Sequence, residues 1–286
     1  MMRKLLSLVA VLAVCNTYAQ YGKVYDDLSV ESKILKSQRK FAIYLPPDYE
    51  SSQRSYPVLY LLHGATDNHT GWVQFGEVRR IADEAINSGK ATPMIIVMPD
   101  ADTERMGYFN SIDEKWRYED FFFEELMPYV EKTYRIKGEK RYRAIAGLSM
   151  GGGGTFMYAM RHPELFSSAC PLSAYVGALD LESMKRWMPE EEKKLGDEKL
   201  EAYRQKNNAL ELMKQRTKEE LNSVRWFIDC GDDDFLFEGN SLMHIALTKA
   251  QVKHEYRVRD GAHNWTYWRD SLPVVLRFVS DAFHQY

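Results

Sequence analysis

The chain has 286 residues, 45% of them hydrophobic and 28% charged, with 17 Gly, 10 Pro and a net charge of −3. That composition supports a sizeable core and excludes disordered, collagen-like and low-complexity classes. A mildly acidic chain with no long Lys/Arg run lacks the electrostatic footprint of a nucleic-acid binder, so no nucleic-acid partner is expected.

Met1-Met2-Arg3-Lys4 is a basic opening, Leu5 to Val14 is an apolar run broken only by Ser7, and Thr17 and Ala19 precede Gln20 at the spacing of a cleavage site. Residues 1–19 therefore read as a secretory signal peptide, too short to span a membrane. Its removal leaves 267 residues with a net charge of −5, because Arg3 and Lys4 go with it. The mature protein, residues 20–286, is expected to be one exported domain, periplasmic or secreted. Lipid attachment at Cys15 is the competing reading, and Val14 before it is bulkier than such processing prefers. No later segment is long and apolar enough for a membrane span. Only Cys170 and Cys230 survive processing, each at the end of an apolar run, which favours two separate buried thiols over a disulfide.

Along the mature chain, short apolar or period-2 runs alternate with helical patterns. Strands are expected at Phe41–Leu45, Val58–Leu62, Met94–Met98, Tyr142–Ala146, Ser168–Leu172, Val224–Asp229 and His254–Val258. The central ones are apolar throughout, as strands covered on both faces are. Val78, Ile81, Ala82, Ala85 and Ile86 mark one helix; Tyr118, Phe121, Phe122, Tyr129 and Val130 mark a second, with a kink expected at Pro128. Leu272, Val275, Leu276, Val279 and Phe283 mark a C-terminal helix. The alternation predicts an α/β fold with a mostly parallel central sheet and helices on both faces. Residues 180–222 depart from it: charged and helical, they read as a solvated excursion or a cap, with Trp187 or Met188 as its candidate contacts.

Gly147-Leu148-Ser149-Met150-Gly151 follows one expected strand and precedes a glycine-rich helix. A nucleophile on such a turn is held in strained backbone geometry, which the small flanking residues permit. The helix N-terminus at Ser149 also favours developing negative charge. Leu61-Leu62-His63-Gly64-Ala65 ends an earlier strand, and its turn can aim the Ala65 N–H, with that of Met150, at a substrate oxyanion. Of seven His, only His263 lies in a short loop between the last strand and the last helix, where a base for Ser149 is needed. The orienting carboxylate belongs after the strand ending near Asp229, and Asp232, Asp233 and Asp234 all qualify. The chain order Ser…Asp…His is that of α/β-hydrolases.

Together, Leu61-Leu62-His63-Gly64 with Asp67-Asn68 and Gly71-Trp72, Gly147-Leu148-Ser149-Met150-Gly151-Gly152, Asp229-Cys230-Gly231 with Asp234, and Gly261, His263, Trp265 and Trp268 resemble the esterase D-type esterases over residues 35 to 285. That family includes feruloyl esterases, S-formylglutathione hydrolases and, more distantly, mycolyltransferases. The resemblance implies an α/β-hydrolase fold, Asp234 as the acid, and backbone oxyanion donors at Ala65 and Met150. It implies a serine esterase acting on a small-molecule or oligosaccharide ester, foremost a feruloyl esterase on plant cell-wall fragments. An acetyl xylan esterase, a siderophore trilactone esterase and an acyltransferase are the alternatives. Tyr108, Trp116 and Trp265, each in or beside a loop following a strand, are candidate substrate contacts. No cofactor or metal is expected: there is no His-Glu-x-x-His, and no Gly-Lys-Ser/Thr follows the glycine run.

Overall fold

The computed structural model describes residues 21–101 and 107–284, apart from the Trp187 side chain, so the expected leader lies outside the described residues. Among the described residues, eight strands form one sheet in the order β1-β2-β4-β3-β5-β6-β7-β8. They are β1 (Lys23–Ser32), β2 (Ser37–Leu45), β3 (Val58–Leu62), β4 (Ile95–Pro99), β5 (Arg143–Leu148), β6 (Ser168–Leu172), β7 (Arg225–Gly231) and β8 (His254–Arg259). β2 runs antiparallel to both β1 and β4, and every other pairing is parallel. This is the α/β-hydrolase arrangement.

The side-chain alternation of β3 builds both layers of the core. Val58, Tyr60 and Leu62 enter one layer with the helical segment Tyr118–Thr133 and the helices Met150–Arg161 and Phe237–Lys249. Leu59 and Leu61 enter the other, beneath the helices Val78–Asn87 and Trp265–His284. The two cysteines are free and buried, as the sequence indicated, and burial pushes both thiols well above their ordinary range.

Three details differ from the sequence expectation. β1 was not foreseen, because most of its solvent-facing residues are polar and its pairing with β2 shifts register between Tyr25 and Leu28. The discontinuity expected at Pro128 is a π turn one step earlier, Phe122–Leu126, which leaves Pro128 in the first turn of the following α-helix, where its missing N–H costs little. The extra residue in that turn rotates the helix beyond it, so Val130 is buried while Tyr129 is 39% exposed. The C-terminal helix begins at Trp265, well before its apolar stripe, and contains Pro273.

Residues 180–222 form five short helices between β6 and β7. Asp180, Asn208 and Thr217 cap three of them, Thr217 in a reciprocal capping box with Glu220. Met184, Met188, Leu200 and Tyr203 pack in a small cluster of their own, so Met188 is turned away from solvent. Among the described residues, no helix is long and apolar enough to cross a membrane.

Candidate active site

β5 delivers Ser149 directly into the helix Met150–Arg161, and Ser149 stands at φ 55°, ψ −115°, a conformation that L-residues rarely adopt. Its neighbours explain how the turn closes. A Cβ on Gly147 would lie 2.5 Å from the Gly151 carbonyl oxygen, and one on Gly151 would lie 2.6 Å from that of His63. Both contacts are with backbone, which cannot step aside. Gly147→Ala is therefore expected to destabilise the protein by roughly 1–3 kcal/mol, read as a lower Tm and a lower soluble yield. An unchanged melting curve would show that the turn can open.

The structure brings three of the expected residues into one line. The His263 Nε2 atom lies 2.9 Å from Ser149 Oγ, and its Nδ1 lies 3.0 and 2.9 Å from the two carboxylate oxygens of Asp234. A carboxylate only accepts, so Nδ1–H donates to Asp234, and Nε2 is left as an acceptor facing the serine hydroxyl. Asp234 is buried, which by itself would raise its pKa. Hydrogen bonds from His263, the Leu236 N–H and Ser173 outweigh that effect and hold it below its ordinary value. Asp232 and Asp233 are exposed, and Asp232 instead accepts the Gly261 N–H at 3.1 Å.

The strand-ending loop of β3 passes against the same turn. A Cβ on Gly64 would lie 3.4 Å from Ser149 Cβ, and Ala65 lines the cleft beside the serine. Met150 is the first residue of its helix, where a backbone N–H has no partner inside the helix. His63 anchors this loop. Its Nδ1 donates to the Gly64 carbonyl at 2.8 Å and its Nε2 accepts the Ala101 N–H at 2.9 Å, while burial lowers its pKa and keeps it neutral.

The aromatic candidates separate. Trp265 lines a cleft of about 370 Å³ that also holds Ser149, His263, Asp67, Phe75 and Trp268. Tyr108 is 0% exposed, and its hydroxyl accepts the His63 N–H at 2.8 Å. It is a core residue bracing the loop, and not a substrate contact. Trp116 lies in neither cleft beside the serine: it closes a turn through its carbonyl and the Ser111 N–H, packs on Tyr118, and lies under the Arg39 guanidinium. Position after a strand carried no information about which way either ring points. The structure adds Phe75, 51% exposed, and Phe235, 75% exposed with its ring 4.4 Å from that of His263. Phe235 borders a second cleft of about 440 Å³ with Tyr175, Leu179 and Ser183. Large apolar side chains left in water beside a polar site were the available signal, but exposure is not legible in a sequence.

Among the described residues, the carboxylates of Asp232, Asp233 and Asp260 lie within 4.8 Å of one another. All three are exposed, and none lines either cleft beside the serine.

Comparison with known proteins places these features in a context. The family model described as "Putative esterase" matches residues 32–279. A solved ferulic acid esterase is 38% identical and superposes with a TM-score of 0.81, covering 92% of this chain and 99% of that one. An endo-1,4-beta-xylanase/feruloyl esterase of Xylanibacter ruminicola is 35% identical over 82% of this chain, which spans only 28% of that longer protein. An acetyl esterase of Caldicellulosiruptor saccharolyticus is 22% identical over 87% of this chain and 95% of its own length.

Proposed function

The chain belongs to this esterase family, and from that premise we propose that it is an exported serine carboxylic-ester hydrolase that releases feruloyl groups from plant cell-wall polysaccharide fragments. The observation that carries the reading is the hydrogen-bonded line from Asp234 through His263 to Ser149 at a strained strand-to-helix turn. In this mechanism His263 Nε2 takes the Ser149 proton as Oγ attacks the ester carbonyl carbon. The carbonyl oxygen becomes an oxyanion held by the Ala65 and Met150 N–H groups, and Asp234 stabilises the imidazolium. As the C–O bond breaks, the imidazolium protonates the departing alcohol. A water molecule, deprotonated by the same imidazole, then attacks the acyl-enzyme and releases the acid and Ser149. No step requires a cofactor or metal.

The feruloyl reading rests on the relatives' names together with the aromatic walls of the two clefts, Phe75 and Trp265 in one and Tyr175 and Phe235 in the other. Residues 180–222 border the second cleft through Asp180 and Ser183 and act as its wall in this reading. Export rests on the basic and apolar pattern of residues 1–19. Covering ~100 Å² of a planar aromatic acyl group at roughly 25 cal/mol per Å² supplies up to ~2.5 kcal/mol that an acetyl group cannot collect, about 70-fold in rate if it persists in the transition state. Methyl ferulate is therefore expected to show a higher kcat/KM than nitrophenyl acetate. The acetyl esterase relative supports the second reading. Equal or faster turnover of acetyl esters, acetylated xylan included, would establish it with the same serine chemistry.

A further inference from the structure

Asp229 is a carboxylate that the proposed chemistry does not use, and it is 1% exposed near the end of β7. Its Oδ1 accepts the Tyr267 hydroxyl, and its Oδ2 accepts an Arg259 Nη2–H at 3.1 Å. Burial, reinforced by that carboxylate, holds the Tyr267 hydroxyl well above its ordinary pKa range, so it stays protonated and donates. The same Nη2 donates to Ser271 Oγ at 2.7 Å, and that hydroxyl donates to the Tyr267 carbonyl at 3.0 Å. The guanidinium lies over the Tyr267 ring, 4.1 Å from its centre. Arg259 closes β8, while Tyr267 and Ser271 lie in the opening turns of the helix Trp265–His284.

These partners bracket the base. Arg259 stands four residues before His263 and Tyr267 four residues after it, so one carboxylate holds both stems of the loop that carries the imidazole. Within that loop Gly261 and Ala262 offer at most a methyl group for packing. Gly261 stands at φ 146°, and a Cβ there would lie 2.5 Å from Tyr267 Cδ2, so the Tyr267 ring rests directly on the loop backbone. On the other side, the Arg259 and Gly261 carbonyls accept the Asp232 and Asp233 N–H groups at 3.1 Å, which laces this loop to the one that carries Asp234. The Asp229 carbonyl itself accepts the Ser173 N–H at 2.7 Å, two residues before Tyr175, whose N–H holds the Ser149 carbonyl at 2.9 Å. Replacing a buried ion pair by apolar side chains is often neutral for stability, so stability alone does not account for this network. Its directional bonds fix how the two stems lie. We propose that Asp229 is a positioning residue: with Arg259 and Tyr267 its carboxylate clamps the 260–264 loop and so sets His263 Nε2 at 2.9 Å from Ser149 Oγ. The inference rests on the serine-esterase reading, and its test separates the two.

Tyr267→Phe removes one hydroxyl and keeps the ring on Gly261, so the variant is expected to fold. Its kcat on nitrophenyl acetate should fall about 10-fold, with KM within about twofold, because small displacements of a catalytic group cost rate more than binding. Asp229→Asn puts an amide nitrogen, which cannot accept, against one of the two donors, and kcat should fall about 100-fold. The far-downfield proton resonance of the Nδ1–H between His263 and Asp234, identified by its absence in His263→Ala, should shift or broaden in both variants. Arg259→Lys keeps a charged donor for Asp229 and should retain more kcat than Arg259→Met. Tyr267→Phe and Asp229→Asn enzymes with wild-type kcat and an unmoved resonance overturn the inference, whatever their Tm, because the network would then serve stability alone. If Ser149→Ala is inactive in the same assay, the esterase reading stands even then; if it is fully active, that reading falls and this inference with it.

Discussion

Replacing Ser149 by alanine is expected to lower kcat by roughly 10⁴-fold or more while leaving the fold and its melting temperature intact. The side chain supplies the attacking oxygen, and its one observed hydrogen bond is to His263. Alanine keeps the backbone bonds to Leu172 and Tyr175. Residual activity reflects only what the oxyanion donors and the imidazole do for a water molecule. A purified, folded variant that retained more than a tenth of wild-type turnover would show that the nucleophile lies elsewhere.

The second large effect distinguishes the aspartates. In Asp234→Asn, the Leu236 N–H, 2.8 Å from Oδ1, keeps an oxygen at that position and places the amide nitrogen where Oδ2 now meets His263. That nitrogen donates to Nδ1, so the imidazole proton moves to Nε2 and points at Ser149. The base is then in the wrong tautomer, and kcat should fall by about 10³- to 10⁴-fold. Asp232→Asn and Asp233→Asn, exposed and outside the line, should stay within about threefold of wild type. Steady-state kinetics on the three variants decide the matter, and a larger loss at Asp232 or Asp233 would move the acid.

The sheet was legible because its inner strands are buried on both faces, so unbroken runs such as Val58–Leu62 and Ser168–Leu172 appear with their observed limits. β1 was not, since an edge strand with polar outward residues resembles a loop. Ser149 and His263 were legible from local chemistry: a glycine-flanked serine between strand and helix, and a lone loop histidine. The choice among Asp232, Asp233 and Asp234 was not legible from local chemistry, because three adjacent carboxylates differ only in which way the chain turns after β7, and only the family resemblance pointed to Asp234. Tyr108 was misplaced for a related reason, since burial is not written in its local sequence. The ring direction of Tyr108 is set by its hydrogen bonds with His63, forty-five positions away.

The helix that opens at Met150 begins with four glycines, Gly151 to Gly154. Glycine disfavours a helix by about 1 kcal/mol per residue relative to alanine, so this first turn has almost no tendency to form by itself. It exists because its bare backbone packs against Leu62, His63, Ala174, Tyr175 and Tyr108, which come from β3, the segment after β6 and the loop beyond β4. A chain that has made only part of the sheet therefore has no helix end beneath Ser149 and no strained turn to present it. Reactivity at this serine is a property of the completed domain. On the proposed mechanism, the polypeptide passes through synthesis and any unfolded passage with its nucleophile unarmed, and becomes an esterase only in the step that closes its core.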